Sequence, residues 1–460
     1  MKNLRYSYLL AVWKKLTSGS NNRKIFGAAL TVGLGTTLVK IAAMARELVV
    51  AWRFGTQDEL DAFYIALVVP SFAINAIAGS LNSAFIPTYI QVLHKQGVKQ
   101  AQKLFSSATL WNIGLLVIAG VLIVITAPVY LQLIASGFSS QKLGLTFNLL
   151  LVIAPIIVLS GILEIWGAVF NARESFVLFA LVPIITPLVS IILLFRFEAW
   201  GIFALAGAIL CGALIEILIL GVRLHSIGIS PYPKWYGFDS NLRQVANQYA
   251  PMIAGSLMIC SAGTIDQVMA AMLSPGSVAA LNYANRMIAS PISLMSIALG
   301  TAVIPYFSKM VASQDWEGIS HTLKRYLLII FLITIPFAAF LFIFSQPIVE
   351  LFFQRGSFTS KDTVLVAQIQ AFYALQIPFY IANILVVKLI SSMQKNQLLM
   401  WVSGFNLIIN ILGNYVFMQW LGIKGIALST SCVYLFSFLY LLIAANKEIK
   451  IYKKIQNQCD

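Results

Sequence analysis

VKIAAMARELVVAWRFGTQDELDAF, Val39 to Phe63, encloses Lys40, Arg46 and Glu47 in an otherwise apolar run and closes with Asp61. A charge at the centre of a bilayer costs about 2.5 to 3.5 kcal/mol even on a lenient scale, so such groups face protein, water or a ligand. A helix through this stretch is therefore expected to line something other than lipid. Lys40 and Glu47 are seven residues apart and share a face at about 3.6 residues per turn, whereas Arg46 points about 100 degrees away from Glu47.

The surrounding chain is of the same kind. Over 460 residues, 59% are hydrophobic and 10% charged, and the mean hydropathy is +0.86, which excludes an ordinary soluble domain. The expected fold is an all-α polytopic membrane protein. About twelve runs reach the roughly 20 residues a crossing needs: 25–51, 62–91, 105–134, 145–170, 176–195, 200–222, 246–273, 278–308, 324–352, 363–391, 397–419 and 424–445. The net charge of +15 lies in short segments between these runs and not on one soluble surface, so no nucleic-acid partner is expected. About 21 Lys and Arg fall on one side against about 6 on the other, which predicts a multi-pass protein with both termini cytoplasmic. Met1 to Lys24 is expected to carry an interfacial helix around Tyr8 to Trp13 and not to be a cleaved leader, with the next apolar run acting as signal anchor. Cys211, Cys260, Cys432 and Cys459 are isolated and imply neither a disulfide framework nor a metal site.

An internal repeat is visible at a spacing of about 220 residues. SAFIPTY from Ser83 returns as TAVIPYF from Thr301, GFSS from Gly137 as GSFTS from Gly356, and WGIFAL from Trp200 as LGIKGIAL from Leu421. Two parallel six-helix lobes around a central cavity follow, with a site between them. The expected organisation is a cytoplasmic segment at 1–24, a first lobe at 25–225, a linker at 226–245, a second lobe at 246–446 and a tail at 447–460. The same offset pairs Arg46 with Asp266.

Candidate site residues fall in two sets. Lys40, Arg46, Asp61 and Arg286 are substrate-binding candidates with Glu47 as supporting charge, because cations converging from both lobes suit a phosphate-bearing cargo. The plainer readings are an ion pair of Arg286 with Glu47, snorkelling of Arg46 and Lys40 toward the interfaces, and a helix cap for Asp61. Asp266, Asn406, Asn410 and Thr430 are ion-coupling candidates: their oxygens are hard ligands suited to Na⁺ or to a proton, and the plainer reading is a polar cluster joining helices. Glu164, Glu216 and Lys388 lie near cytoplasmic ends, where snorkelling accounts for them. No nucleotide-binding loop, nucleophile elbow or paired-histidine zinc motif is present, so a transporter without an organic cofactor is expected, not an enzyme.

These residues carry a family resemblance. Lys40-x5-Arg46-Glu47, the turn Arg53-Phe54-Gly55, Asp61-Ala62-Phe63 and Ala84-Phe85-Ile86-Pro87 resemble the MurJ (MviN) lipid II flippases of the multidrug/oligosaccharidyl-lipid/polysaccharide exporter superfamily. GSVAALNYANRM from Gly276, ALGTAVIPYFSK from Ala298 and VVKLISSMQKN from Val386 extend the match into the second lobe. The resemblance implies flipping of a polyprenyl-diphosphate-linked saccharide by alternating access. Lys40 (typically Arg in the family), Arg46, Asp61 and Arg286 would stand in a cationic cavity, and Asp266, Asn406, Asn410 and Thr430 at a Na⁺ site. Its partners would be the lipid-linked substrate, the bilayer and cell-envelope synthesis enzymes.

Departures also stand out. Ile74, Asn75 and Gly79 replace an Arg-Arg pair and a Glu common in the family, and the chain ends after about twelve helices where relatives continue for two more. Both favour an exopolysaccharide or capsule repeat unit as a competing cargo. A drug antiporter of the related MATE branch would instead have an acidic cavity, and a non-transporting envelope scaffold would tolerate loss of Arg46 and Arg286.

Overall fold

The computed structural model describes residues 21–173 and 175–459, so the interfacial helix expected at Tyr8 to Trp13 lies outside the described residues. Each of the twelve expected spans falls on helix. Nine helices are long and apolar enough to cross a membrane, or ten if a bent pair counts as one span. The expected count of about twelve is thus not reached by this measure among the described residues. The helices over 25–51 and 278–308 are the ones left out, and the first of them carries the charges of the opening stretch.

Several crossings are built from two pieces. After α1 (Asn21–Phe54) come α2 (Asp58–Ala73), a π-helical turn at Ile74–Gly79 and α3 (Ser80–Gln96). The π turn follows Pro70, which has no N–H to donate inside the helix. Gly97 alone (φ +84) separates α3 from α4 (Val98–Ile134). Next, α5 (Ser140–Ile153) and α6 (Ile156–Ala172) meet at a 40° bend. A short α7 (Phe176–Leu181) gives way through a 3-10 turn to α8 (Ile185–Arg196), and α9 (Ile202–Ser226) ends the first half.

The second half holds α10 (Ser240–Ala271), α11 (Ser277–Ala312), α12 (Trp316–Ile343), α13 (Ser345–Phe353), α14 (Ser360–Ala374), α15 (Gln376–Ser392), α16 (Asn396–Leu421) and α17 (Ile423–Cys459). Pro155, Pro183, Pro347 and Pro378 each stand at or near the start of the second piece of a broken crossing. Proline is tolerated there because a first-turn N–H has no intrahelical acceptor.

Burial follows the bilayer, not water. On α4 the residues Val121, Ile125, Val129 and Leu133 recur every four positions and are exposed, while Ala108, Leu116, Ala127 and Leu131 face the bundle and are buried. A helix that is apolar on both faces belongs in hydrocarbon, where every backbone group is satisfied within the helix.

The repeat is written into the backbone. Gly201 (φ +52, ψ −132) precedes α9 and Gly422 (φ +59, ψ −139) precedes α17, the same left-handed geometry about 220 residues on. Ser139 caps α5 as Thr359 caps α14. Within the first half α8 packs on α9 and α3 on α4. Within the second, α17 packs on α15 and α16. Between them, α10 and α11 lie against α1, α2 and α3.

Candidate functional site

Where α1, α2 and α11 meet, one carboxylate serves two cations. Glu47, 2% exposed, accepts from Arg286 of the second half at 2.6 Å. Arg46 donates to the same oxygen through Nε at 3.1 Å and through an amino group of its guanidinium. The Tyr64 hydroxyl donates to the other oxygen at 3.3 Å, and the Arg286 guanidinium lies 5.8 Å from the Tyr64 ring centre. Two guanidiniums against one carboxylate leave the cluster with one net positive charge. A guanidinium has five N–H donors, and with its side chain 37% exposed Arg286 is not used up by Glu47.

Arg286 opens into a cavity of about 270 Å³ between the halves. The polar groups on its wall are Tyr64, Ser71 and Asn75 from the first half and Thr264, Gln267, Asn282 and Arg286 from the second. Asn75, which stands where the resemblance leads one to expect a cation, sits in the π turn and donates to the Ser71 carbonyl at 2.9 Å. Cys260 also faces this space. Lys40 does not line it: its side chain is exposed on α1 with no hydrogen bond or ion pair among the described residues.

Asp61 lies in the seam between the halves and not on the cavity wall. It is 1% exposed and accepts from the backbone N–H of Gly276 at 2.7 Å and of Ala279 at 2.8 Å, so it caps the first turn of α11 rather than its own helix. Lys142 of α5 donates to it at 2.9 Å and also to Asp58. The physical reason is compensation: a buried carboxylate needs donors and positive charge, and a helix N-terminus with an ammonium supplies both.

The same seam continues at the end of α1. Ser357 N–H donates to the Trp52 carbonyl at 2.8 Å, the Tyr283 hydroxyl donates to the Gly55 carbonyl at 3.1 Å, and Thr56 donates to Asp362. Gly356 (φ +60) lies so close that a Cβ there would stand 2.3 Å from the Trp52 oxygen. Arg53 donates to the Leu194 and Glu198 carbonyls and closes the end of α8.

A second polar cluster is buried between α10, α16 and α17. Asp266 accepts from Asn414 at 2.7 Å, from Asn410 at 3.0 Å and from the Thr430 hydroxyl at 3.2 Å. Asn406, expected beside it, donates instead to Ser437 at 3.3 Å. The amide oxygens of Asn410 and Asn414 are buried without a hydrogen-bond donor. Among the described residues no group of three or more His, Cys, Asp or Glu gathers as a metal site.

The structure thus brings Arg46, Glu47 and Arg286 together, and Asp266, Asn410 and Thr430 together, and sets Lys40, Asp61 and Asn406 apart from them. Sequence reasoning missed Asn414, although the ladder Asn406, Asn410, Asn414 at intervals of four was there to extend. It also missed Lys142, whose pairing with a residue some eighty positions earlier only the fold reveals. Glu216 accepts from Thr186 N–H at 3.2 Å and from its hydroxyl at 2.7 Å, next to the broken turn before α8, and Glu164 accepts from Asn82 at 2.8 Å. Both carboxylates have partners inside the bundle.

Known proteins resemble this chain in sequence and in fold. The family described as lipid II flippase MurJ matches residues 50–458. The probable lipid II flippase MurJ of Synechocystis sp. is 25% identical over 447 residues, covering 94% of this chain and 83% of that protein. The lipid II flippase MurJ of Burkholderia cenocepacia is 27% identical over 423 residues, covering 88% and 80%. Among solved structures, a lipid II flippase MurJ in an inward closed conformation superimposes with a TM-score of 0.79 at 25% identity, covering 91% of this chain and 87% of that one. An inward-facing multidrug resistance transporter of the MATE family, within the MOP superfamily, does so at 0.76 with 15% identity, covering 93% and 98%, which speaks to the fold alone. With nearly the whole chain matched, from the end of α1 to the last residues of α17, this polytopic membrane transporter belongs to the lipid II flippase MurJ family.

Proposed function

We propose that this protein is a flippase that carries lipid II, a polyprenyl-diphosphate-linked saccharide, across the bacterial inner membrane by alternating access of its two halves. One observation carries the reading: Arg286, held by Glu47, turns its remaining donors into the cavity between the halves. Arg and phosphate oxygens pair with matched geometry, and a diphosphate is the densest negative charge on such a cargo. Arg46 supplies a second cation on the first half, and Lys40, exposed on the same helix, is proposed to meet the cargo on its way. A net positive site opposes cationic drugs, so the sign of charge argues against the transport class of the MATE neighbour.

The halves are taken as 25–225 and 246–446, joined by the linker 226–245, with both termini cytoplasmic. The bias of Lys and Arg supports that orientation. Asp61 is proposed to act on the cycle by holding the halves together and not by touching cargo. Envelope synthesis enzymes are the proposed suppliers of that cargo.

The cluster at Asp266 is proposed as the ion-coupling site. Its residues fit Na⁺: a carboxylate, a hydroxyl and two amides whose buried oxygens have no donor offer oxygen ligands only. The Asp266 carboxylate would hold the ion with Asn410, Asn414 and Thr430, and the ion would supply a positive charge between α10, α16 and α17. Asn406, through Ser437, stands one turn away as a positioning residue.

The test is complementation. A bacterial strain depleted of its lipid II flippase is expected to be rescued by the wild-type chain and not by Arg286→Ala at equal membrane abundance. In vesicles carrying a labelled polyprenyl-diphosphate saccharide, the wild type is expected to make the label accessible from the far leaflet. Failure of rescue together with normal flipping of a peptide-free saccharide would overturn lipid II as cargo, and rescue by Arg286→Ala would overturn the cavity assignment.

A further inference from the structure

The end of α17 leaves the bundle as a helix with two unlike faces. One face is clamped. Ala445 and Ile449 are buried, Tyr452 stacks on Trp316 of α12 with ring centres 4.4 Å apart and planes within 6°, Glu448 pairs with Lys395 at 3.1 Å, and Lys453 reaches Glu317 at 3.8 Å. The other face presents Ile443, Lys447, Lys450, Ile451 and Lys454, all exposed, which with Asn446 line an open groove of about 470 Å³. At 100 degrees per residue these positions fall within less than half a turn. Among the described residues no carboxylate lines the groove: Glu448 and Glu317 are engaged by Lys395 and Lys453.

Depth places this face at a membrane boundary. A helix needs about 20 residues to cross the hydrocarbon core, so one that enters at Ile423 emerges near Ile443, a single turn before Lys447. Ile443 therefore lies at the edge of the hydrocarbon, and the three ammonium groups lie at the level of lipid headgroups, where flexible lysine stems reach phosphates. A lysine that only sets topology needs no fixed direction, whereas these three are aimed by the clamp on the opposite face.

We infer that the Lys447, Lys450 and Lys454 face of α17 is a binding seat for the headgroups of anionic phospholipids in the leaflet that α17 leaves. The observations that carry it are the uncompensated charge of the face, its continuity with apolar Ile443 and its rigid attachment. It is independent of the cargo.

Native mass spectrometry of the full-length protein, titrated with phosphatidylglycerol or phosphatidylcholine, tests it. Each lysine near an anionic surface is worth about a factor of five, so the triple variant Lys447→Gln, Lys450→Gln, Lys454→Gln is expected to bind the tightest phosphatidylglycerol roughly 100-fold more weakly. Replacing the same three residues by Arg is expected to retain binding, which separates loss of charge from misfolding. A charge-matched variant elsewhere, Lys95→Gln, Lys99→Gln, Lys324→Gln, is expected to bind as the wild type does. Phosphatidylglycerol binding undiminished in the first variant, equal loss in the charge-matched variant, or displacement of the lipid by inorganic phosphate alone would each overturn the assignment.

Discussion

Replacing Asp61 by alanine is expected to open the seam between the two halves. The carboxylate holds Gly276 N–H, Ala279 N–H and Lys142, at 2.7, 2.8 and 2.9 Å. Its removal strands two donors of the α11 N-terminus and a lysine side chain that is 7% exposed. Asp58 still faces Lys142 but is 57% exposed, and an exposed carboxylate offsets about 1 kcal/mol at most. Removing one partner of a buried pair costs about 3 to 5 kcal/mol. That cost falls only on the closed arrangement, because with the halves apart both groups are solvated. Even about 3 kcal/mol shifts the ratio of closed to open molecules roughly 150-fold.

Spin labels at Glu59→Cys and Lys361→Cys, exposed positions on opposite sides of the seam, report the distance by double electron–electron resonance once the native cysteines are replaced by serine. The wild type is expected to give the short distance and Asp61→Ala a dominant longer one. Adding Lys142→Met to Asp61→Ala is expected to restore part of the short distance, because the stranded ammonium is then gone. An unchanged distance distribution in folded Asp61→Ala, or additive costs for Asp61→Ala and Lys142→Met, would refute the reasoning.

Other expectations are more local. Arg286→Lys should retain part of the flipping activity and Arg286→Ala essentially none, measured in vesicles at matched protein content, because Lys binds phosphate as a point charge without the fork of Arg. Asp266→Asn should abolish any stimulation of flipping by Na⁺ while leaving the protein folded in a thermal melt. Asn406→Ala should reduce that stimulation less than Asn414→Ala, whose amide contacts Asp266 directly. Gly356→Ala places a Cβ against the Trp52 carbonyl at a positive φ, a strain of about 1 to 3 kcal/mol in the closed seam; the same spin-label pair should show a raised open fraction.

Much of the fold could be read from composition and periodicity, because hydrocarbon imposes length and apolarity on each crossing. The breaks were less visible. Pro155 and Pro378 lie inside unbroken apolar runs, and whether a proline bends a helix or divides it is decided by what packs around the freed carbonyls. Of the site, the charges on α1 and α11 stood out because bilayers tolerate few, and their meeting at Glu47 was one of the readings the spacing allowed. Asp61 could not be placed, since its donors are backbone N–H groups about 215 residues away that no side-chain pattern marks. Lys142 likewise looks like any loop lysine until α5 is laid beside α2. The twin glycines Gly201 and Gly422 show the opposite case: a local backbone requirement, positive φ before a helix, is legible in both copies of the repeat.

The bond from Arg286 to Glu47 joins one half of the molecule to the other. Any rocking that separates α1 from α11 at that depth must break it, leaving Glu47 with only Arg46 and Tyr64 and taking from Arg286 its one carboxylate partner among the described residues, which makes that step costly. Under the proposed function, an arriving diphosphate would offer Arg286 a second anion beside the one it already holds, and so would loosen the bolt by the act of binding. An empty molecule has no such substitute. On that proposal the shared carboxylate would guard against idle turnover: the machine would be released by its load, and without one would stay shut.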